Sequence, residues 1–288
     1  MMSTETVREI AKLLADGAIV PYLGPAVPRL NEKNAALPAS ALELAQHLGA
    51  RVALPSKVRA NLTGAAQYIE SFRHRKTLNA AVSEAFAKSA EPTGIHRLLF
   101  QELCLPLALH AWYDDLPQRA LAARTDWVML QGISQAEHRG AWFHAFASNV
   151  APASMADAAA APTVLYQPLG SVAPARNYLV SDSDFVEMLT EIDIQTPIPE
   201  IVQRRRAGRG FLFLGCRFDN QIERQLARQI GKRSSNRHWA VLADEPTRNE
   251  ARFLAEFGIQ RIAMPLADFE GELREQLRAL PDTTASVA

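Results

Sequence analysis

The apolar positions of the chain change period along its length. Val7, Ile10, Ala11 and Leu14 recur at helical spacing and predict a first helix, closed by Asp16-Gly17. Ala18-Ile19-Val20 then reads as a short buried strand running into Gly24. Between Pro38 and Leu109 the pattern is almost wholly helical. One predicted helix carries Ala41, Leu44, Ala45 and Leu48, a second Leu62, Ala65, Ala66, Ile69 and Phe72, and a third Leu78, Val82, Ala85 and Phe86. His96, Leu98, Leu99 and Leu103 begin a fourth, and the apolar run 106–109 that follows predicts a strand. Trp127 to Leu130, before Gly132, predicts another. The low-complexity stretch 150–162, VAPASMADAAAAP, reads as a mobile surface loop. Thr163 to Tyr166 resumes as a strand, and Asp184 to Leu189 as a helix with Ser183 as its N-cap. In the last third, strands over 210–216, 238–244 and 259–264 alternate with helices over 220–230, 250–257 and 269–280.

Apolar strands alternating with helices predict an α/β fold with a Rossmann-like doubly wound parallel sheet, covered on both faces. The block 38–100 is too long for one crossover and reads as a small helical lobe inserted into that sheet. The expected organisation is a single domain over 1–288, with the sheet lobe formed by 16–30 and 104–280. In such a fold ligands bind beyond the carboxyl ends of the strands. The segments to inspect are therefore Gly24-Pro25-Ala26, the run from His110 to Asp115, Gln167 to Ser171, Gly215 to Asp219, and Asp244 with its neighbours.

Composition narrows the function classes. The 288 residues carry 31 basic and 31 acidic side chains, so no net charge draws the protein to nucleic acid or to an anionic membrane. No apolar stretch approaches the roughly 20 residues that span a bilayer. The N-terminus has the charges of an amphipathic helix rather than a signal peptide, which predicts a soluble, cytoplasmic protein. The two cysteines, Cys104 and Cys216, lie far apart in apolar runs and read as buried thiols. Two cysteines cannot make a four-cysteine zinc site.

The titratable residues give weak signals. Asp114 and Asp115 are neighbours after a strand and point in opposite directions, so they do not aim at one atom. One of them reads as a cap or loop anchor for a helix over 116–121. His110 at the strand exit is a candidate acid or base. His138 and His144 lie six apart, off the i, i+4 spacing of a helical metal pair. No Ser-His-Asp or G-x-S-x-G arrangement is present.

Taken together, four strand exits resemble the sirtuin-like (silent information regulator type) NAD-binding family, most closely its bacterial branch without a zinc module, which includes NAD hydrolases of phage defence. Ile19 to Pro28 matches the strand that enters a G-A-G-x-S turn. Gly94 to Leu99, then Leu109 to Leu116, match a "pHrlL" helix leading to a T-N-Y-D-D exit. Val164 to Ser171 matches "v-y-K-L-H-G-S", and Phe211 to Asp219 matches "L-F-L-G-x-S-x-x-D". The resemblance covers about 16–280. It implies an NAD or ADP-ribose site built by Gly24, Pro25, Ala26, Tyr113, Gly170, Ser171, Gly215, Cys216 and Asp244, with no zinc.

The departures carry as much meaning. The family's asparagine and histidine, which act at the nicotinamide ribose, are Trp112 and Leu169 here, and neither can orient a water or accept a ribose proton. Ala26 replaces the loop's second glycine, and Pro25 removes an amide from the anion cradle. Three readings follow. The first is a degenerate member that binds NAD, ADP-ribose or a related nucleotide without efficient turnover, as a sensor or regulatory protein. The second is an active NAD hydrolase in which His110, Asp114 and Asp115 replace the lost catalytic groups. The third is a scaffold for a protein partner, with a site lined by Trp112, Leu169, Trp142 and Phe143.

Overall fold

The computed structural model describes residues 2–136, 140–191 and 197–281. The alternation seen in the sequence becomes ten strands, named here in chain order. They are β1 (Ile19–Leu23), β2 (Leu107–His110), β3 (Trp127–Gly132), β4 (Phe143–Ala147), β5 (Thr163–Gln167), β6 (Gly170–Ser171), β7 (Asn177–Tyr178), β8 (Gly210–Leu214), β9 (His238–Val241) and β10 (Ile259–Ile262). Eight of them form one sheet in the order β10-β9-β8-β1-β2-β5-β3-β4. Every neighbouring pair is parallel except β3 and β4. From β1 the chain moves to one side of the sheet, and from β8, its other neighbour, it moves to the opposite side. The crevice between the carboxyl ends of β1 and β8 is thus the switch point where such folds place ligands.

The central strands β1, β2 and β8 are buried on both faces, because they are apolar at nearly every position rather than at alternate ones. Phe211 and Phe213 of β8 enter one hydrophobic cluster, with Val20, Tyr22, Leu107 and Leu109. Leu212 and Leu214 enter the other, with Ile19, Leu23 and Ala108. The first face is covered by α2 (Ala41–Arg51), α3 (Leu62–Ala85), α7 (Asp182–Glu191) and α9 (Gln221–Gly231). The second is covered by α1 (Met2–Ala15), by the turn of helix at Gly94–Arg97 (α4) and by α11 (Leu266–Arg278). The four remaining α-helices are α5 (Leu116–Ala120), α6 (Met155–Ala160), α8 (Glu200–Arg206) and α10 (Arg248–Glu256), the last beside β10. No helix among the described residues is long and apolar enough to cross a membrane.

Several expectations change. Ile95, Leu98, Leu99 and Phe100 pack with α1 and α11 on the second face, so 94–100 lies apart from α2 and α3 instead of continuing their lobe. The stretch 150–162 holds α6, because alanine is the strongest helix former and Ser154 with Asp157 makes a capping box. The sequence offered no alternation strong enough to reveal β4, whose residues are all half-buried on the sheet edge. Ser181, not Ser183, caps α7: its hydroxyl accepts from the Asp184 amide while Asp184 accepts from the Ser181 amide. Phe72 is 67% exposed and Cys104 is exposed, although both lie in apolar patterns. The second and third predicted helices are α3, broken at His74 (φ 70, ψ 153).

That break delivers Arg75 to the interior. Its Nη1 donates to both carboxylate oxygens of Asp184 at 3.0 and 2.9 Å, and its Nη2 donates to the Tyr178 carbonyl. Asp184 also accepts from Ser134 Oγ and from the amides of Val180 and Ser181. The pair joins α3 to α7 and to β7, and Gln67 adds a second link by accepting from the Ser183 amide. Arg75 Nη1 also lies 3.3 Å from Glu70 Oε1, so removing Arg75 strips the buried Asp184 of its cation, whereas removing the Asp184 charge leaves Arg75 with Glu70. Arg75→Ala is expected to lose about 3–5 kcal/mol of stability in urea titrations, more than Asp184→Asn and several times the effect of removing the exposed pair Arg51–Glu84.

Candidate functional site

A cavity of about 590 Å³ opens at the carboxyl ends of β1, β2 and β8, beneath α2 and α3. Its size is that of a small-molecule site. One wall is apolar, with Ala41, Leu42, Trp112, Leu169, Phe185 and Leu189. The opposite wall is the β8 exit and the start of α9, with Arg217, Asp219, Asn220 and Glu223. Tyr22, Gly24, Pro25, Tyr113 and Cys216 also line it.

The β1 and β8 exits are closed against each other. A Cβ on Gly24 would lie 2.6 Å from both Cys216 Sγ and the Gly215 carbonyl. Gly215 has φ +66, and a Cβ there would lie 2.7 Å from the Val27 nitrogen. Only glycine fits at either position. The same closeness uses up the loop's amides. Gly24 N–H donates to the Leu214 carbonyl at 2.8 Å, Ala26 N–H to Gly215 at 3.0 Å, and Val27 N–H to Gly24 at 3.4 Å. Pro25 and Pro28 have none. From Gly24 to Pro28 no main-chain donor remains for a pyrophosphate, and the turn continues into a four-residue 3₁₀ helix rather than an α-helix.

Trp112 is 3% exposed, and its indole N–H donates to the Pro38 carbonyl at 2.8 Å. Its ring packs against Tyr113 at 5.0 Å and edge-on to Phe86 at 6.0 Å. It therefore forms a fixed wall of the cavity with its polar atom turned away from any ligand. Leu169 adds a second apolar surface.

His110, Asp114 and Asp115 do not line this cavity. His110 and Asp114 are fully buried, with Nε2 3.2 Å from Oδ2 but out of line for a hydrogen bond. Asp114 Oδ1 accepts from the Leu116 amide, the loop anchor the sequence suggested. Burial raises the Asp114 carboxyl, but His110, His96 and that amide outweigh it and hold the group below the usual range. Asp115 pairs with Arg119 at 2.8 Å on the surface. Ala26, Gly170, Ser171, Gly215 and Asp244 also lie off the lining. Gly170 and Ser171 are buried in the β6–β7 hairpin, where Ser171 Oγ reaches the Tyr113 and Asp114 carbonyls at 3.4 and 3.3 Å. Asp244 is 82% exposed and holds Arg217 at 3.0 Å. Trp142 and Phe143 belong to the β4 region at the far sheet edge and do not share a site with Trp112 and Leu169. His138 lies outside the described residues. Among the described residues no group of three or more His, Cys, Asp or Glu side chains could hold a metal ion.

Sequence reasoning overlooked Glu223 and Arg217. Arg217 is gripped by Glu250 (3.1 Å) as well as Asp244. Glu223 is half-buried on the first turn of α9, and burial, followed by the nearby Asp219, raises its carboxyl to about 8. Its signal was present: an acid three residues after the helix cap Asn220, on a helix that follows a Gly-terminated strand.

A doubly wound α/β protein with one cavity at its switch point is the class that the fold and site define. The model of the SIR2-like domain family matches residues 106–262, more than half of the chain, which therefore belongs to that family. No curated protein matches it. A solved structure described as "Structural Basis for the Mechanism and Regulation of Sir2 Enzymes" aligns with 96% of this chain and 98% of its own, at 13% identity and a TM-score of 0.44.

Glu223 and His96 each contribute to the pH dependence of folding. Glu223 is raised to about 8 in the fold, so its protonated form favours the folded state, and that contribution is lost as pH rises through 8. Glu223→Gln is expected to unfold at a higher temperature than the wild type at alkaline pH, with the difference shrinking as pH falls and vanishing below the ordinary carboxyl value of 4.5. Burial lowers His96 to about 3, so stability falls as pH drops below the ordinary histidine value of 6.5. His96→Gln is expected to flatten that acid limb in melts recorded against pH.

Proposed function

We propose that this SIR2-like protein is catalytically silent and works through what its cavity binds. The observation that carries this reading is the wall made by Trp112 and Leu169. At the two positions where the resemblance places an asparagine and a histidine, the cavity presents an indole face and an isobutyl group. No side chain there can orient a water at a glycosidic carbon or take a ribose proton. The buried His110–Asp114 pair supplies no substitute, since neither residue lines the cavity. Family membership brings NAD or ADP-ribose to this site as the ligand class. The committed amides of Gly24, Ala26 and Val27 support weak binding of a pyrophosphate at most. The role that fits is a ligand-responsive regulatory protein.

The protein is expected to release no nicotinamide from NAD above the uncatalysed blank. NAD or ADP-ribose at millimolar concentration, comparable with its dissociation constant, is expected to raise the melting temperature by only about 1 °C. Nicotinamide release that disappears in Asp115→Ala, a surface change that leaves the fold intact, would instead establish an active hydrolase with displaced groups.

A further inference from the structure

The charge and shape of the cavity select a ligand unlike a dinucleotide. Asp182 and Asp219 stand at its mouth, both exposed, and Glu223 lies deeper, close enough to Tyr22, Cys216 and Tyr113 to raise their acidities' pKa values. Among the described residues, Arg217 is the single basic residue on the lining. Its guanidinium is held on one side by Glu250, whose side chain is fully buried, and on the other by Asp244. Arg224 also lies near Glu223, but it is off the lining and donates to the Phe218 carbonyl. The positive end of α9 borders the cavity too, and it is countered by Asp219 before the cap and Glu223 in the first turn. An anion entering here meets the exposed Asp182 and Asp219 carboxylates, a Glu223 carboxyl that ionises as pH rises through 8, and a β1 loop with no free amide.

A cation meets the reverse. Tyr22, Trp112, Tyr113, Phe185 and Phe218 line the same space. Aromatic faces attract an ammonium group through their quadrupole, most strongly where water is excluded. The wall of Leu42, Leu169 and Leu189 adds apolar area for the rest of such a molecule. We propose that the cavity binds a small organic cation, an ammonium group carrying an apolar or aromatic body, in preference to a pyrophosphate-bearing nucleotide. The inference rests on the silent reading of the site and names its ligand class.

The test is calorimetric titration of the full chain with tryptamine, phenethylamine and benzyltrimethylammonium, each set against a carboxylate of similar shape (indole-3-propionate, 3-phenylpropionate) and against NAD. At least one cation is expected to bind with a submillimolar dissociation constant. The carboxylates and NAD are expected to bind at least roughly tenfold more weakly, a difference of about 1.4 kcal/mol. Asp219→Asn combined with Glu223→Gln is expected to weaken the cation by a similar factor while its circular dichroism spectrum stays that of the wild type. Two results overturn the proposal and leave catalytic silence standing. One is equal or tighter binding of a carboxylate or of NAD; the other is no cation binding in the millimolar range, or binding that the double variant leaves unchanged. Release of nicotinamide from NAD overturns both.

Discussion

The buried contact between Arg75 and Asp184 fixes where everything else can be. It is built from a backbone break at His74 and from the adjoining strand end at Tyr178 and helix start at Ser181, with Arg75 and Tyr178 separated by 103 residues of chain. Burying a guanidinium is unfavourable unless its donors are met, and here they are met by Asp184 of α7, by the Tyr178 carbonyl of β7, and by Glu70 and Asn79 of α3 itself. That requirement holds α3 against α7 and therefore sets the roof of the cavity. Tertiary packing over an apolar sheet supplies the bulk of the stability, while this polar joint specifies which arrangement of helices is compatible with it.

A second constraint acts at the switch point. In a doubly wound sheet the two central exits are normally kept apart by what they bind. Here Gly24 and Gly215 bring them into contact, and the hydrogen bonds that would meet a phosphate are made between the loops themselves. The cavity is displaced toward Trp112 and α9 and takes its character from aromatic rings and carboxylates. The fold is maintained by the sheet and the character of the site by a handful of exit residues, so the two can vary independently.

Much of the fold was legible in the sequence, since fully apolar strands such as 210–214 and amphipathic helices such as α9 have unmistakable periods. What failed did so for physical reasons. The alternation in β4 was blurred because an edge strand buries neither face fully. The alanine-rich segment before β5 looked like filler, yet alanine needs only a cap to form a helix. Phe72 followed the helical spacing of Ile69 but sits where the helix is about to break, so its ring turns outward. At the site, Trp112 and Leu169 were identifiable as unusual residues from the strand exits alone. Glu223 was not, because a carboxyl near a helix start is an ordinary cap-associated residue until the burial around it is known.

On the proposed silent reading, Trp112 makes the loss of chemistry self-reinforcing. Its ring is packed on Phe86 and Tyr113, and its N–H closes onto Pro38, so the residue that blocks the reacting position also latches the entry to the helical segment. An asparagine at that position would be too short to keep any of those contacts, and without a polar partner in place of Leu169 it would restore no reaction. Replacing Trp112 alone therefore costs packing and returns no chemistry, so this wall of the cavity is tied to the stability of the fold.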